Sequence, residues 1–351
     1  MINVFLIEIL AFFLILDLSR NKSNEPFQFE QKNTNLYKGI CAFIILLHHI
    51  TQCVNASVFI YFGYLCVGGF FWVSGYGMTC SWLKRRDKYA KIVCLKKIPQ
   101  ILAMCIITII YMSLYYTLWG EYININDLIG IFHGNRLLNW YFPAIIIVYL
   151  LYASAIKIAK GDSKKLVCST MILITLFEIV LGFLYLKEYI GIHWLVSLYA
   201  FPVGVWFALL KNKNEIIKFL INYRVLIVMM FIFLFWLINY SEIESRMRVF
   251  IYLSGEIFLT LIFSFIIYIY SLLFSSRRFF RWLGKNSAEM ILTQSLVLHL
   301  WKNSILSIPN NVLYVILCLI TQIILMRVTI PLYDRVRGIV NCHLLPMSKY
   351  K

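Results

Sequence analysis

The sequence is short of charge, and its composition excludes a large class of proteins at once. Only 14% of its 351 residues are charged, whereas 61% are hydrophobic. A soluble domain of this length carries far more charge, so that class is excluded. The apolar residues fall in blocks long enough to cross a bilayer, which takes about 20 residues per helix. The composition therefore predicts an all-α, polytopic integral membrane protein.

The sequence also lacks the short motifs of metal, redox and nucleotide enzymes. Its six histidines and nine cysteines form no HxxxH, HExxH or CxxC pattern. It has no Walker or dinucleotide-binding glycine motif and no GxSxG turn that would expose a serine nucleophile. We therefore expect no metal and no permanently bound cofactor, and we interpret the scattered cysteines as small buried residues.

Acidic residues are scarce, and Lys and Arg outnumber Asp and Glu by 33 to 16, for a net charge of +17. The cations do not form one stripe, as a nucleic-acid surface would. They lie in short loops between the hydrophobic blocks, which is the pattern of the positive-inside rule. The charge therefore predicts contact with membrane lipids and none with nucleic acid.

The hydrophobic blocks predict about eleven transmembrane helices, near 2–18, 36–54, 57–83, 98–118, 140–159, 166–186, 192–210, 224–240, 249–273, 287–307 and 311–333. Lys and Arg are concentrated in alternate connections, at 84–97, 157–165, 211–224, 274–285 and 334–351. This alternation predicts a multi-pass protein with its C-terminus in the cytoplasm and its N-terminus outside.

One predicted helix carries ionisable groups at both ends of an apolar run. Lys38 and His49 are eleven residues apart, so they share one helix face and lie roughly 16 Å apart along the axis. His48 precedes His49 and points to another face. Ionisable side chains inside an apolar helix are costly in lipid and usually serve a function. The alternatives are a structural hydrogen-bonded histidine pair and a Lys38 that reaches to the membrane interface.

Five stretches, in the same order, resemble the integral membrane enzymes of acyltransferase family 3. Lys38-x10-His49 resembles the family's Arg-x10-His, and 70–76 (FFWVSGY) resembles FFxxSGY. Residues 96–99 (KKIP) are similar to RRxxRIxP, and 140–144 (WYFPA) to WFLPAL. Residues 283–294 resemble LGxxSYxxYLTH. The chain departs from these patterns by Lys38 in place of Arg and Gln294 in place of His.

The resemblance implies a ten-helix acyltransferase domain at 36–333, with an additional N-terminal helix and loop at 1–35 and a basic cytoplasmic tail at 334–351. It implies transfer of an acyl group, commonly acetyl from acetyl-CoA, to a hydroxyl of a cell-surface polysaccharide or lipid-linked glycan at the bacterial cell membrane. In that reading His49 is the base for the acceptor hydroxyl, with His48 and Lys38 supporting it.

Basic residues at 84–97 are candidates for binding the phosphates of acyl-CoA. The candidates are Arg85, Arg86, Lys96 and Lys97, of which the two arginines suit phosphate geometry better. The alternative is that these cations only set the topology.

Candidates for contact with the acyl group or acceptor are Ser74, Tyr76, Trp140 and Glu256. Gly75 is expected to serve helix packing. Other polar candidates are Glu178 and Glu289 inside predicted helices, and Asp127, His133, Asn135 and Arg136 in the longest outer loop. Glu289 is expected to lie near a helix start, where it favours the helix dipole.

Two other classes of protein share this hydropathy profile. A transporter or flippase of a lipid-linked sugar would also bury polar residues, and internal hydropathy symmetry would favour it. A polysaccharide polymerase would have a larger outer loop than 119–139. Binding of CoA separates the acyltransferase from both.

Overall fold

The computed structural model describes residues 31–54, 59, 62–131, 137–191, 193–211, 213–240, 255, 257–268, 278–302 and 309–344. All regular secondary structure in these residues is helical. The predicted first helix at 2–18 and the candidate residues Glu256, His133, Asn135 and Arg136 lie outside the described residues.

The first half of the chain forms α1 (Gln31–Cys53), α2 (Phe62–Arg85), α3 (Lys88–Leu118), α4 (Ile125–Gly130), α5 (Tyr141–Ala159) and α6 (Ser163–Leu186). The second half forms α7 (His193–Ser197), α8 (Ala200–Leu209), α9 (Lys213–Asn222), α10 (Arg224–Tyr240), α11 (Ile257–Tyr268), α12 (Arg278–Lys285), α13 (Ser287–Lys302) and α14 (Asn311–Leu344).

Long apolar helices identify a multi-pass helical membrane protein. Five helices of the described chain are long and apolar enough to cross a bilayer, namely α1, α3, α5, α6 and α14. On α3, large apolar side chains are exposed at every fourth residue: Leu102, Ile106, Ile110, Leu114 and Leu118. Such a continuous apolar stripe on one helix face is suited to lipid rather than water. The total of eleven spans stays a prediction.

The largest differences from the predicted bounds lie in three parts of the described chain that contain proline. The span predicted at 192–210 is divided into α7 and α8, with turn residues at 198–199. Pro202 lies in the first turn of α8, where its missing N–H costs no hydrogen bond. Helix α3 begins ten residues before the predicted start and contains a π-helical turn at Val93–Lys97, just before Pro99. Helix α14 continues past Pro331 to Leu344.

The chain divides into two compact units. Unit 1 comprises Met1–Cys80 and Gly191–Ser287, and unit 2 comprises Ser81–Ile190 and Ala288–Lys351. Each unit is thus built from two separate parts of the sequence.

Glycines bring the helices of unit 1 into backbone contact. A Cβ atom at Gly39 of α1 would meet the carbonyl oxygen of Phe280 of α12, and one at Gly284 would meet the carbonyl oxygen of Asn35. The edge of the Phe43 ring packs on Phe280. Helices α1 and α12 therefore approach as closely as two backbones can, which small residues allow in membrane proteins.

Three helices of unit 2 are connected by hydrogen bonds between side chains and to the backbone. The Thr108 hydroxyl of α3 lies 2.9 Å from the Tyr333 hydroxyl of α14. Tyr111 of α3 donates to the carbonyl oxygen of Leu292 of α13 at 2.8 Å. Trp301 of α13 donates from its indole N–H to Thr321 of α14 at 3.0 Å. These hydrogen bonds connect α3, α13 and α14 to one another within an otherwise largely apolar core.

Candidate functional site

The candidate site is built around the last turns of α1, where His48 and His49 lie. The two imidazole rings pack edge to face, with 4.9 Å between centroids. Among the five long apolar helices, α1 has the largest buried share, 72% of its most apolar stretch, against 28% for α3. The histidines therefore lie on the most interior of these five helices, and each of the two side chains is half-buried.

The hydrogen bonds of the two histidines determine where each ring carries its proton. His48 Nδ1 lies 3.0 Å from the carbonyl oxygen of Phe59. A carbonyl oxygen only accepts, so Nδ1 donates and the neutral His48 ring has its lone pair on Nε2. His49 Nδ1 lies 3.1 Å from Gln52 Oε1, which likewise accepts. Nε2 is then the basic nitrogen of His49.

Gly63 of α2 provides the space for the His48 ring. A Cβ atom at Gly63 would meet the Cγ, Cδ2 and Nε2 atoms of that ring. The Nε2 edge of His48 therefore faces the backbone of α2. His49 makes its bond to Gln52, an exposed residue of the same helix. Sequence reasoning missed Gly63, and its only signal was a small residue at the start of an apolar helix.

Lys38 lies on the same unbroken helix as the histidines, one residue before the contact of Gly39 with α12. Its Cα lies about 16 Å from that of His49, eleven residues later. Lys38 and His49 are therefore on one helix but are not neighbours.

The segment that contains Ser74 and Tyr76 packs against α8 through two glycines. A Cβ atom at Gly75 would meet the carbonyl oxygen of Phe201, and one at Gly204 would meet the carbonyl oxygen of Trp72. The expected packing role of Gly75 is therefore confirmed. Tyr76 is buried and its ring contacts Phe207, whereas Ser74 is half-buried.

The predicted phosphate-binding residues lie in unit 2, in two different local structures. Arg86 follows the end of α2 with a φ of 51°, and its guanidinium lies 5.1 Å from the Trp82 ring. Lys96 and Lys97 lie in the π-helical turn of α3. π-Helical turns are rare in proteins, and those that occur are often at functional sites. This turn therefore supports a role for the two lysines. Arg85 and Lys96 are close enough to Lys97 for their charges to repel it.

Unit 2 also contains two charged clusters that sequence reasoning did not predict. Glu289 has a fully buried side chain, and one of its carboxylate oxygens lies 2.6 Å from Arg337 Nη2. Arg337 also contacts Asp334. The prediction that Glu289 serves only the helix dipole is therefore incomplete, because its main partner is a residue of α14.

The second cluster joins the end of α3 to the end of α13. His299 Nε2 lies 3.3 Å from Glu121 Oε1, and His299 Nδ1 lies 3.1 Å from the Tyr115 hydroxyl. Tyr116 packs edge to face on the His299 ring. The partners are more than 170 residues apart in sequence, so no local pattern indicates the contact.

Trp140 is half-buried and precedes the first turn of α5, where Asn139 Oδ1 accepts from the backbone N–H of Tyr141 at 3.0 Å. Within the described residues, no group of three or more His, Cys, Asp or Glu side chains is placed to hold a metal ion.

These observations define a class: a helical membrane protein with an imidazole pair in the most buried of its five long apolar helices and a cation cluster at a π-helical turn. The sequence matches the model of acyltransferase family 3, described as an acyltransferase domain, over residues 32–327. The chain therefore belongs to this family and is a membrane acyltransferase. No curated protein and no solved structure matches the chain.

Proposed function

We propose that the protein transfers an acetyl group from acetyl-CoA to a hydroxyl of a cell-surface polysaccharide or lipid-linked glycan. The observation that carries this proposal is the pair of packed imidazoles inside α1, each with its Nδ1 in a hydrogen bond. Imidazole is the side chain best suited to accept a hydroxyl proton near neutral pH.

His49 is the base in this mechanism. Its Nε2 accepts the proton of the acceptor hydroxyl as the oxygen attacks the thioester carbonyl. The tetrahedral intermediate then collapses, the C–S bond breaks, and the imidazolium returns the proton to the departing CoA thiolate. Gln52 holds the His49 tautomer, and His48, fixed by Phe59 and Gly63, positions the neighbouring ring.

The cation cluster of Arg85, Lys96 and Lys97 suits the phosphates of CoA. Like charges placed close together repel, and a polyanion relieves that repulsion. Arg86 contributes less in this proposal, because its guanidinium already packs on Trp82 and lies 3.5 Å from the Gly161 carbonyl oxygen. In the proposed topology, with a cytoplasmic C-terminus and about eleven spans, this cluster lies on the side that holds CoA.

The first test is replacement of the proposed base. His49→Gln is expected to lower kcat for acetyl transfer by about 10²–10⁴, the range for loss of a general base. His48→Gln, as a positioning residue, is expected to lower kcat by a smaller factor. Turnover is measured with purified protein in nanodiscs, using radiolabelled acetyl-CoA and a cell-envelope glycan fraction.

CoA affinity, measured by titration calorimetry, should be unchanged in His49→Gln. Full turnover in His49→Gln would remove His49 from the mechanism. If the folded wild type did not bind CoA, acetyl-CoA would be excluded as the donor. That result would favour a transporter of a lipid-linked sugar.

A further inference from the structure

One glutamine in unit 2 has a side-chain amide whose hydrogen-bonding capacity the described protein does not use. Gln294 lies on α13 and is 1% exposed. Neither its Nε2 nor its Oε1 has a hydrogen-bond partner among the described residues. A buried polar group without a partner is destabilising, so such a group is expected to meet a ligand or solvent when the protein functions.

A second glutamine in the same unit provides a comparison. Gln322 of α14 is equally buried, but its Nε2 donates to Thr293 Oγ1 of α13 at 2.8 Å, and only its Oε1 lacks a partner among the described residues. The Gln322 amide thus connects α14 to Thr293, the residue before Gln294 on α13. The two buried amides therefore differ, because one polar atom of Gln322 has a structural contact and neither polar atom of Gln294 has one in the described chain.

The chemistry of a carboxamide limits what it binds best. Its N–H donates while its C=O accepts, so its natural complement is another amide. The pantetheine arm of CoA is an uncharged chain with secondary amides, whereas its nucleotide end is recognised through charge. An amide inside an apolar bundle suits the arm and not the phosphates.

The place of Gln294 in the fold agrees with this occupant. Helix α13 begins at Ser287, so Gln294 is seven residues, or about 10 Å, from its start. In the proposed topology this start lies at the cytoplasmic face, as does the cation cluster of the same unit. Phosphates held at the cluster would leave the arm to extend inward, to the depth at which Gln294 lies.

We propose that Gln294 binds an amide of the pantetheine arm of acyl-CoA. This inference rests on the proposed function, since it takes acyl-CoA to be the donor. It also accounts for a buried amide at the position where the family motif frequently has histidine.

The test compares two ligands that differ by the arm. CoA contains it, and adenosine 3′,5′-bisphosphate lacks it. Gln294→Met keeps the shape of the side chain and removes both polar groups. It is expected to raise the Kd for CoA about tenfold and to leave the Kd for adenosine 3′,5′-bisphosphate unchanged, both measured by calorimetry in nanodiscs. The double variant Lys96→Gln/Lys97→Gln is expected to raise the Kd for both ligands.

Stability gives a second readout that a structural role would not produce. Because Gln294→Met removes a buried amide without a partner, the Tm of the ligand-free protein is expected to stay equal or rise. Gln322→Met, the matched control, loses a hydrogen bond and is expected to lower the Tm while leaving CoA affinity intact.

Unchanged CoA affinity in Gln294→Met would overturn the inference, as would an equal loss for both ligands. If the wild type bound CoA no more tightly than adenosine 3′,5′-bisphosphate, the inference would fail. The proposal that the cation cluster binds the phosphates would be unaffected by that result. If wild type bound neither ligand, the proposed donor would fail and the inference with it.

Discussion

The two units of this protein hold their helices together by different means. In unit 1, glycines such as Gly39, Gly75 and Gly284 let backbones touch, and an added Cβ would collide with a carbonyl oxygen. In unit 2, Gly120, Gly161, Gly182 and Gly338 have open space around the Cβ position. Hydroxyl groups, an amide and an ion pair connect the helices there, beside apolar contacts such as those of Leu296 and Leu300 with the buried cluster around Met112.

This difference suits the chemistry assigned to each unit. A base must be held in one orientation. Gly284 packs on the backbone of α1 and Gly63 on the His48 ring, and that ring packs on His49, the proposed base. A helix pair joined by side chains keeps polar groups in its interior, where a polar ligand needs them. The comparison predicts changes in stability on substitution that differ in sign and size between the two units.

The largest effect on stability is expected from the buried ion pair of unit 2. Arg337→Met would leave the fully buried Glu289 carboxylate without its cation, which costs about 3–5 kcal/mol in comparable pairs. The control is Asp334→Asn, which breaks an exposed contact of the same arginine and is expected to cost less than about 1 kcal/mol. Thermal unfolding in detergent measures both.

The double variant Glu289→Gln/Arg337→Met removes both charges and is expected to recover most of the lost stability. If Arg337→Met unfolded at the wild-type temperature, unit 2 would not depend on its side-chain contacts, and the contrast between the units would fail.

An intermediate effect is expected from two glycines of α2 that are two residues apart. Gly75→Ala would drive a Cβ into the Phe201 carbonyl oxygen, and such overpacking costs about 1–3 kcal/mol. Gly77 has nothing within 4 Å of the Cβ position. Gly77→Ala is therefore expected to be neutral or to stabilise by up to about 1 kcal/mol, since alanine favours the helix. Unfolding temperatures of the two variants give the comparison, and equal values would contradict backbone packing in unit 1.

The sequence was sufficient to predict contacts that depend on local pattern. The apolar blocks predicted the long helices, and the spacing of Lys38 and His49 placed them on one helix. The glycine in 70–76 predicted close packing. These features follow from residues within a few turns of each other, where helix geometry is known in advance.

Pairings across the sequence could not be predicted in the same way. Glu289 and Arg337 lie 48 residues apart by their numbering, and which face of α14 meets α13 depends on the tertiary fold. The bond from His48 joins α1 to Phe59, eleven residues later in the sequence. The π-helical turn at Val93–Lys97 was indicated only by Pro99, which reads equally well as a helix start.

The smallest effect is expected at a helix cap of unit 2, which tests whether local contacts outside the interior matter. Asp162 Oδ1 accepts from the backbone N–H groups of Lys164 and Lys165 at the start of α6. The N–H donors of Lys165 and Lys164 lower the pKa of Asp162 below its usual value. The ionised cap therefore stabilises the fold at neutral pH, and that contribution is lost as the pH falls through the lowered pKa.

Asp162→Ala should lower the Tm slightly at pH 7 and not at acid pH. Asp162→Asn, which caps without titrating, should retain most of the Tm at pH 7 and lose the pH dependence. A Tm loss as large as that of Arg337→Met would show that unit 2 depends on its helix ends as much as on its polar interior.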